Sequence, residues 1–179
     1  EALDSAKAFD FSRGVINASH WLASLEYEVG NYEAATEYIN LALDYYRTND
    51  QASGEVAMLT QLGRIQLAEG HYSRAERLFL KASILAGKVG DLHHETQALH
   101  ELGYALLLQA RYEDASYYLQ RAEKQASEGG FRELEMKVVS KLGTLNFIQG
   151  NFDKGQQLRR RAEVFQDSLF NSDVQRKIG

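Results

Sequence analysis

The five histidines are the residues that could hold a metal ion, and three of them fall on one predicted helix. His93 and His94 are adjacent, so their side chains point about 100° apart around a helix axis. His100 follows six or seven residues later, whereas two zinc ligands on one helical face need a spacing of i, i+4. No cysteine is present to supply a thiolate. We therefore expect neither a metal site nor a bound cofactor.

The sequence contains none of the common motifs for covalent catalysis or nucleotide binding. It has no Gly-x-Ser-x-Gly elbow, no glycine-rich phosphate loop and no cysteine nucleophile. Carboxylates are plentiful, but Glu33, Glu76 and Glu113 fall on the predicted solvent face of helices. The chain is therefore predicted not to be an enzyme.

The composition and charge of the chain limit the classes of partner that it is expected to bind. The 179 residues carry a net charge of −5, which argues against a nucleic-acid-binding face, since such a face is basic. No run of about 18 apolar residues occurs, so we expect no membrane span in this sequence. Proline is absent, which favours long uninterrupted helices. The lack of cysteine is compatible with a reducing or an oxidising compartment.

The sequence repeats with a period of 40 residues, and any site must lie on the helices of these repeats. Equivalent positions keep the same or similar residue types over four successive units. The clearest columns are Ala2, Ala42, Ala82, Ala122 and Ala162; Leu22, Leu62, Leu102 and Leu142; and Gly30, Gly70, Ala110 and Gly150. Self-similarity at this period is typical of an array in which each unit buries its apolar face against its neighbours.

Each unit contains two segments with apolar residues at helical spacing. The first helices are predicted at about 11–29, 51–69, 91–109 and 131–149, and the second helices at about 32–48, 72–88, 112–128 and 152–170. We expect one array over 1–179, with 1–9 as the tail of a preceding repeat, repeats at 10–49, 50–89, 90–129 and 130–170, and an exit or capping helix at 171–179.

The turns and helix crossings depend on small residues. Gly30, Gly70 and Gly150 are predicted to close the first helices in the left-handed conformation. The third repeat has Ala110 at this position, so its turn is predicted to be the least favourable. Asn31 and Asn151 are predicted to cap the helices that follow. Close crossings are predicted where Ala23, Gly63, Gly103 and Gly143 face Ala35, Ala75, Ala115 and Gly155.

The unit resembles the tetratricopeptide repeat, or TPR. In the second unit the matching residues are Leu62-Gly63, Gly70-His71-Tyr72, Ala75, Phe79 and Ala82. The usual unit has about 34 residues, so the longer unit here implies longer helices. The resemblance covers nearly the whole chain. It implies an all-α fold, a right-handed superhelical solenoid of antiparallel helix pairs that is open at both ends.

In TPR proteins ligands usually lie along the concave surface lined by the first helices, so the resemblance implies a groove for a protein or peptide. The inward positions that it implies are Asn17, His20, Ser24, Tyr27, Thr60, Arg64, Gln97, His100, Tyr104, Lys137, Ser140 and Thr144. A solvated face without a partner is the alternative, because exposed polar side chains are common. The positions that match the clamp of the family's chaperone-tail receptors are His20, Ser24, Thr60 and Arg64, which lack the lysine and asparagine of that clamp, so we do not expect recognition of chaperone tails.

Residues 162–178 are similar to the exit helix of bacterial sensor proteins that are built from TPRs. In those proteins the helix continues towards a kinase or cyclase output domain. Phe170, Val174 and Ile178 fall at i, i+4 and i+8, which predicts an apolar stripe along this helix. A plain capping helix that shields the last repeat is the alternative.

The sequence therefore favours a protein- or peptide-binding TPR module that serves as the sensor or interaction region of a bacterial signal-transduction protein. The alternatives are a free-standing scaffold for complex assembly and the ligand-sensing domain of a cytoplasmic transcription regulator. A sensor implies an extracytoplasmic, periplasmic location, and the alternatives imply the cytoplasm. Exposed array ends would permit self-association. The sequence leaves the ligand, the output domain and the oligomeric state open.

Overall fold

The computed structural model describes the backbone of residues 2–178 and the side chains of residues 14–168. Eight α-helices joined by short turns make up this part of the chain. They are α1 (Ala2–Glu28), α2 (Tyr32–Thr48), α3 (Ala52–Ala68), α4 (Tyr72–Val89), α5 (Leu92–Leu108), α6 (Tyr112–Glu128), α7 (Arg132–Ile148) and α8 (Phe152–Ile178). The odd-numbered helices are the first helices of the repeats. None of the described helices combines the length and apolar character that crossing a membrane requires.

The helix boundaries agree with the predicted ones inside the array and differ at its two ends. α1 begins at Ala2 and runs without a turn to Glu28, so this helix includes residues 2–9 together with the first helix predicted at 11–29. α8 likewise runs through residue 171 to Ile178. Neither junction contains a glycine or proline that would end a helix. The side chains of the predicted stripe, Phe170, Val174 and Ile178, lie outside the described residues.

The turns inside the repeats close in the left-handed conformation, as predicted. Gly30, Gly70 and Gly150 have φ angles of 79°, 78° and 79°. Ala110 takes the same conformation, with a φ of 57°, although its Cβ makes that conformation unfavourable. Repeat packing therefore imposes the turn on the third repeat against the preference of its residue.

The predicted capping of α2 by Asn31 is wrong. The Asn31 side chain makes no hydrogen bond to the first amides of α2, and its Nδ2 donates instead to Glu26 Oε2 at 2.8 Å. The backbone at Asn31, with φ of −84° and ψ of 70°, is close to that at Asp91, with φ of −84° and ψ of 79°, so the bond to Glu26 and not the backbone keeps the Asn31 side chain from the cap. Asp91 does cap its helix, because its carboxylate accepts from the His94 amide at 3.2 Å.

The small residues of the predicted crossings lie where the two helices of a repeat approach closely. A Cβ added to Gly103 would stand 3.4 Å from the carbonyl oxygen of Ala115. One added to Gly143 would stand 3.4 Å from that of Gly155. Side chains of the second helices also cover two of these glycines, the Phe79 ring over Gly63 and Leu119 over Gly103. Larger side chains on both helices would overpack these crossings.

The first helices lie closer to one another than the second helices do. α3 contacts α5 and α5 contacts α7, whereas in the described part of the chain no contact of similar extent joins α2 with α4, α4 with α6 or α6 with α8. A curved array brings its elements closest together on the inner side. The first helices therefore line the concave surface, and the second helices line the outer one.

A ladder of ion pairs joins the two helices of the last three repeats: Glu55 with Lys81, Glu95 with Arg121, and Glu135 with Arg161. The partners recur every 40 residues, and Glu95 and Glu135 are buried. A buried carboxylate requires such a partner, because desolvation without one is costly. The first repeat has Val15 and Leu41 at the equivalent positions, so it lacks this pair.

We expect Ala110→Gly to stabilise the chain and Gly70→Ala to destabilise it, each by about 1 kcal/mol, because only glycine adopts positive φ without strain. No atom lies within 4 Å of a Cβ added at Gly70, so the backbone alone decides the effect. Gly14→Ala is the control: it also meets open space, but Gly14 is helical, and alanine should stabilise it. Urea unfolding measures all three variants. Destabilisation by Ala110→Gly would contradict the assigned turn.

Candidate binding groove

The structure places all twelve predicted groove residues on the first helices α1, α3, α5 and α7. The exposed ones are Asn17, Lys137, Ser140 and Thr144, and the half-buried ones are His20, Ser24, Tyr27, Arg64, Gln97 and Tyr104. Thr60 and His100 are only 3% and 6% exposed. The Thr60 hydroxyl donates to the Val56 carbonyl at 2.9 Å. These two residues therefore belong to the wall of the groove and not to its free surface.

Two clefts lie along these helices. The smaller cleft, of about 90 Å³, is lined by Ala23, Ser24, Tyr27, Glu28, Ile39, Gln61, Arg64 and Ile65. The larger cleft, of about 490 Å³, is lined by His100, Glu101, Tyr104, Met136, Lys137, Ser140, Lys141, Arg159, Ala162, Glu163 and Gln166. The smaller cleft joins the first two repeats, and the larger one joins α5, α7 and α8.

Gln61 organises the smaller cleft. Its Nε2 donates to His20 Nε2 at 2.9 Å and to Ser24 Oγ at 3.3 Å. Burial lowers the pKa of His20, so the ring is neutral and its Nε2 accepts this bond. The other amide atom, Gln61 Oε1, is buried without a partner in the described structure. One acceptor in the wall of the cleft thus lacks a hydrogen-bond donor within the described structure.

An ion pair between Arg64 and Glu101 joins the two clefts across the second and third repeats. Arg64 donates from Nε at 2.8 Å and from Nη2 at 2.6 Å to the same oxygen, Glu101 Oε1. Glu101 is 7% exposed, whereas the Arg64 side chain is 36% exposed. The carboxylate therefore depends on Arg64 for its solvation. The pair fixes the relative position of α3 and α5.

His100 forms part of the wall of the larger cleft. Burial lowers its pKa to about 4, and the neighbouring Glu101 opposes this shift. The ring is therefore neutral near pH 7 and can donate one hydrogen bond and accept one. Its Nε2 is buried without a hydrogen-bond partner in the described structure.

Sequence reasoning missed one column that contributes residues to both clefts. Gln61, Glu101 and Lys141 stand one position after Thr60, His100 and Ser140, at a spacing of 40 residues. Their common signal was available in the sequence, because a polar residue recurs there in three successive repeats. The superhelix turns this column, more than the neighbouring one, towards the clefts.

The described residues offer little for metal binding. They contain no group of three or more histidine, cysteine, aspartate or glutamate side chains that could hold a metal ion. His94 Nδ1 is occupied by Asp91 Oδ2 at 2.8 Å. His93 stacks edge-on against Phe131, with ring centroids 4.9 Å apart. His93 and His94 are therefore engaged within the fold.

No family model and no curated protein matches the sequence. Among solved structures, the apo form of RapI gives a TM-score of 0.80 at 18% identity, over 92% of this chain and 60% of RapI. A putative kinesin light chain of Podosopora anserina with nearly identical TPR-like repeats gives 0.66 at 17% identity, over 87% and 76%. The Rap conjugation gene regulator of plasmid pLS20, in complex with the Phr* peptide, gives 0.72 at 17% identity, over 82% and 41%.

The chain has a TPR-like fold. The likeness to these structures confirms the resemblance that the repeat motif indicated, and it confirms the fold class, a right-handed solenoid of antiparallel helix pairs. This chain spans less than two thirds of the length of RapI and of the pLS20 regulator. At this level of identity the likeness concerns the fold alone.

We expect Arg64→Ala to destabilise the chain by about 1–3 kcal/mol, because it leaves the buried Glu101 carboxylate without a partner. The double variant Arg64→Ala/Glu101→Ala removes the charge as well, so it should be more stable than Arg64→Ala alone. Chemical denaturation of the two single variants and the double variant gives the coupling energy. Simple additivity of the two single effects would contradict the proposed dependence of Glu101 on Arg64.

We expect His100 to make the stability of the chain depend on pH. The pKa of His100 lies at about 4 in the folded chain and at 6.5 in the unfolded one, so only the unfolded chain takes up this proton between these values. Its contribution is complete above pH 6.5 and is lost as the pH falls towards 4. In denaturation series, His100→Gln should lose less stability over this range than the unsubstituted chain.

Proposed function

We propose that this chain is a protein- or peptide-binding TPR module and serves as the sensor or interaction region of a bacterial signal-transduction protein. The ligand is an extended peptide or partner segment that lies along the inner surface of the first helices. The observation that supports this most directly is a row of polar side chains on these helices that borders both clefts. This row includes Ser24, Gln61, Tyr104 and Ser140.

The chemistry of the row suits a peptide backbone. Ser24, Gln61, Tyr104 and Ser140 can each donate and accept hydrogen bonds, as peptide groups require. Gln61 Oε1 lacks a partner within the described structure, so a peptide N–H could satisfy it. The row has few large apolar side chains, and hydrogen bonds would therefore orient the ligand more than hydrophobic burial would.

The structural neighbours support a peptide as the ligand class. The pLS20 Rap regulator, which shares the solenoid architecture, is in complex with the Phr* peptide. The larger cleft is also bordered by α8 through Arg159, Glu163 and Gln166. A ligand there would contact the helix that continues to Ile178. We infer that a small change in superhelical curvature passes through this helix to an output.

One observation favours the alternative, a scaffold that assembles other proteins. Trp21 and Leu25 on α1 and Val29 directly after its end form an exposed apolar stripe, with exposures of 78%, 58% and 69%. The residues equivalent to Leu25 in the later repeats are Ile65, Ala105 and Leu145, and all are buried. An apolar stripe of this kind suits a protein partner.

The test is a steric block of the groove. Peptides selected from a random-sequence display library on the immobilised chain are synthesised, and their affinity is measured by fluorescence anisotropy. Ser140→Trp should weaken binding at least about tenfold, which corresponds to about 1.4 kcal/mol, because the indole fills space that the ligand needs. Ser127→Trp is the matched control, since Ser127 is exposed on the second helix α6.

Both variants should unfold at the temperature of the unsubstituted chain, because both positions are exposed. Unchanged affinity of the selected peptides for Ser140→Trp would contradict the groove as their site. Failure of the library to yield any peptide with reproducible affinity would contradict the peptide-binding function itself. Loss of binding in substitutions of Trp21 or Leu25 only would favour the scaffold.

A further inference from the structure

Lys141 is the cation of the larger cleft that has no carboxylate partner among the described residues. The other charges of this cleft are paired: Lys137 with Glu133, Arg159 with Glu163, and Glu101 with Arg64. Lys141 instead places its Nζ 3.7 Å from the centroid of the Tyr104 ring. The cleft therefore contains one positive charge that forms no ion pair with another described residue.

The environment of Lys141 makes this charge costly. Lys141 is half-buried, and burial lowers its pKa, an effect that Glu101 opposes. The Tyr104 ring offers a cation–π contact, which is weaker than an ion pair in a partly desolvated site. Glu101 itself is already engaged by two donors of Arg64. An anion entering the cleft would gain an ion pair without having to displace an existing one.

A second, independent feature of the same cleft points to a ligand. His100 is 6% exposed and lies in the wall, and its Nε2 has no hydrogen-bond partner in the described structure. Buried polar atoms without a partner are rare in folded proteins. The neutral ring can therefore form one further hydrogen bond with a polar group of a ligand.

The fourth repeat differs from the others where it borders the cleft. Arg159 replaces the apolar residues Ile39, Phe79 and Leu119, which are almost fully buried, and its side chain is 71% exposed. Lys141 likewise stands in the column of Gln61 and Glu101. The chain as a whole carries a net charge of −5, so the attraction of an anion is local, and because Arg159 pairs with Glu163 it comes from Lys141.

We propose that the larger cleft binds a carboxylate of the peptide ligand, with Lys141 as its ion-pair partner and Ser140 as an adjacent hydroxyl donor. The inference rests on the peptide-binding function proposed above and adds the chemistry of one contact. A single unpaired cation matches a group with one negative charge. A phosphomonoester, with nearly two charges, would require Lys137 or Arg159 to leave its carboxylate partner.

The probes are three synthetic pentapeptides. The neutral one alternates glutamine and alanine with both ends blocked. The second replaces each glutamine by glutamate, and the third keeps glutamine but has a free C-terminal carboxylate. Amide resonances of the isotopically labelled chain are followed by NMR up to millimolar peptide. Shifts in α7 and α8 with the second peptide identify an acidic side chain as the source of the carboxylate, and shifts with the third identify a chain terminus.

Variants of Lys141 assign the contact to this residue. Lys141→Gln should weaken binding of the carboxylate peptides about tenfold or more, since charge-assisted hydrogen bonds of this kind are strong. Lys141→Arg keeps the charge and should retain binding, which also shows that the cleft tolerates substitution there. Lys124→Gln is the control, because Lys124 is a 75%-exposed lysine on α6. Saturation with peptide should also raise the pKa of Lys141, as a carboxylate partner does.

Three results would overturn the carboxylate site. These are equal binding of the neutral and the acidic peptides, unchanged affinity in Lys141→Gln, and no shifts with any of the three peptides. In the first two cases peptide binding itself stands, because the peptides still bind. In the third case the library selection and the Ser140→Trp block decide separately whether the chain binds peptides at all.

Discussion

Each helix pair of this chain has an apolar surface that it cannot bury by itself, and the whole structure depends on the neighbouring pair covering it. Ala42, Ala82 and Ala122 are completely buried because second helices pack against first helices on both sides. The same requirement recurs every 40 residues, and it forces the same crossing and the same turn in each repeat. Ala110 adopts a left-handed conformation for this reason, against its own preference.

The inner face of the first helices is not needed for the packing of one helix pair against the next. Side chains there meet their counterparts from the next repeat, and polar ones can pair across the gap. Gln61 reaches His20 in this way, and Arg64 reaches Glu101. Such contacts stiffen the array, and they also form the walls of the two clefts. The same residues therefore connect the stability of the solenoid to its proposed ligand site.

The fourth repeat shows how a repeating framework acquires a local chemical character. Its ladder pair, Glu135 with Arg161, matches those of the earlier repeats. Its inner and end positions carry Lys141 and Arg159, where earlier repeats have uncharged, acidic or apolar residues. The scaffold tolerates these cations because they border a cleft and solvent instead of a core. The carboxylate proposal depends on this difference.

The sequence by itself determined the repeat, the helix boundaries within the array, the left-handed turns and the helix crossings at Gly103 and Gly143. These features follow from the spacing of apolar residues and from residue size, and both can be read directly from the sequence. The tertiary structure alone decided that Thr60 and His100 are buried, that Asn31 does not cap α2, and that Gln61, Glu101 and Lys141 line the clefts. The contacts that decide these features join residues about one repeat apart in the chain, as in the ion pair of Arg64 with Glu101. They depend on the rotation between successive repeats and on side-chain rotamers, and neither quantity is encoded in the spacing of residue types along the chain.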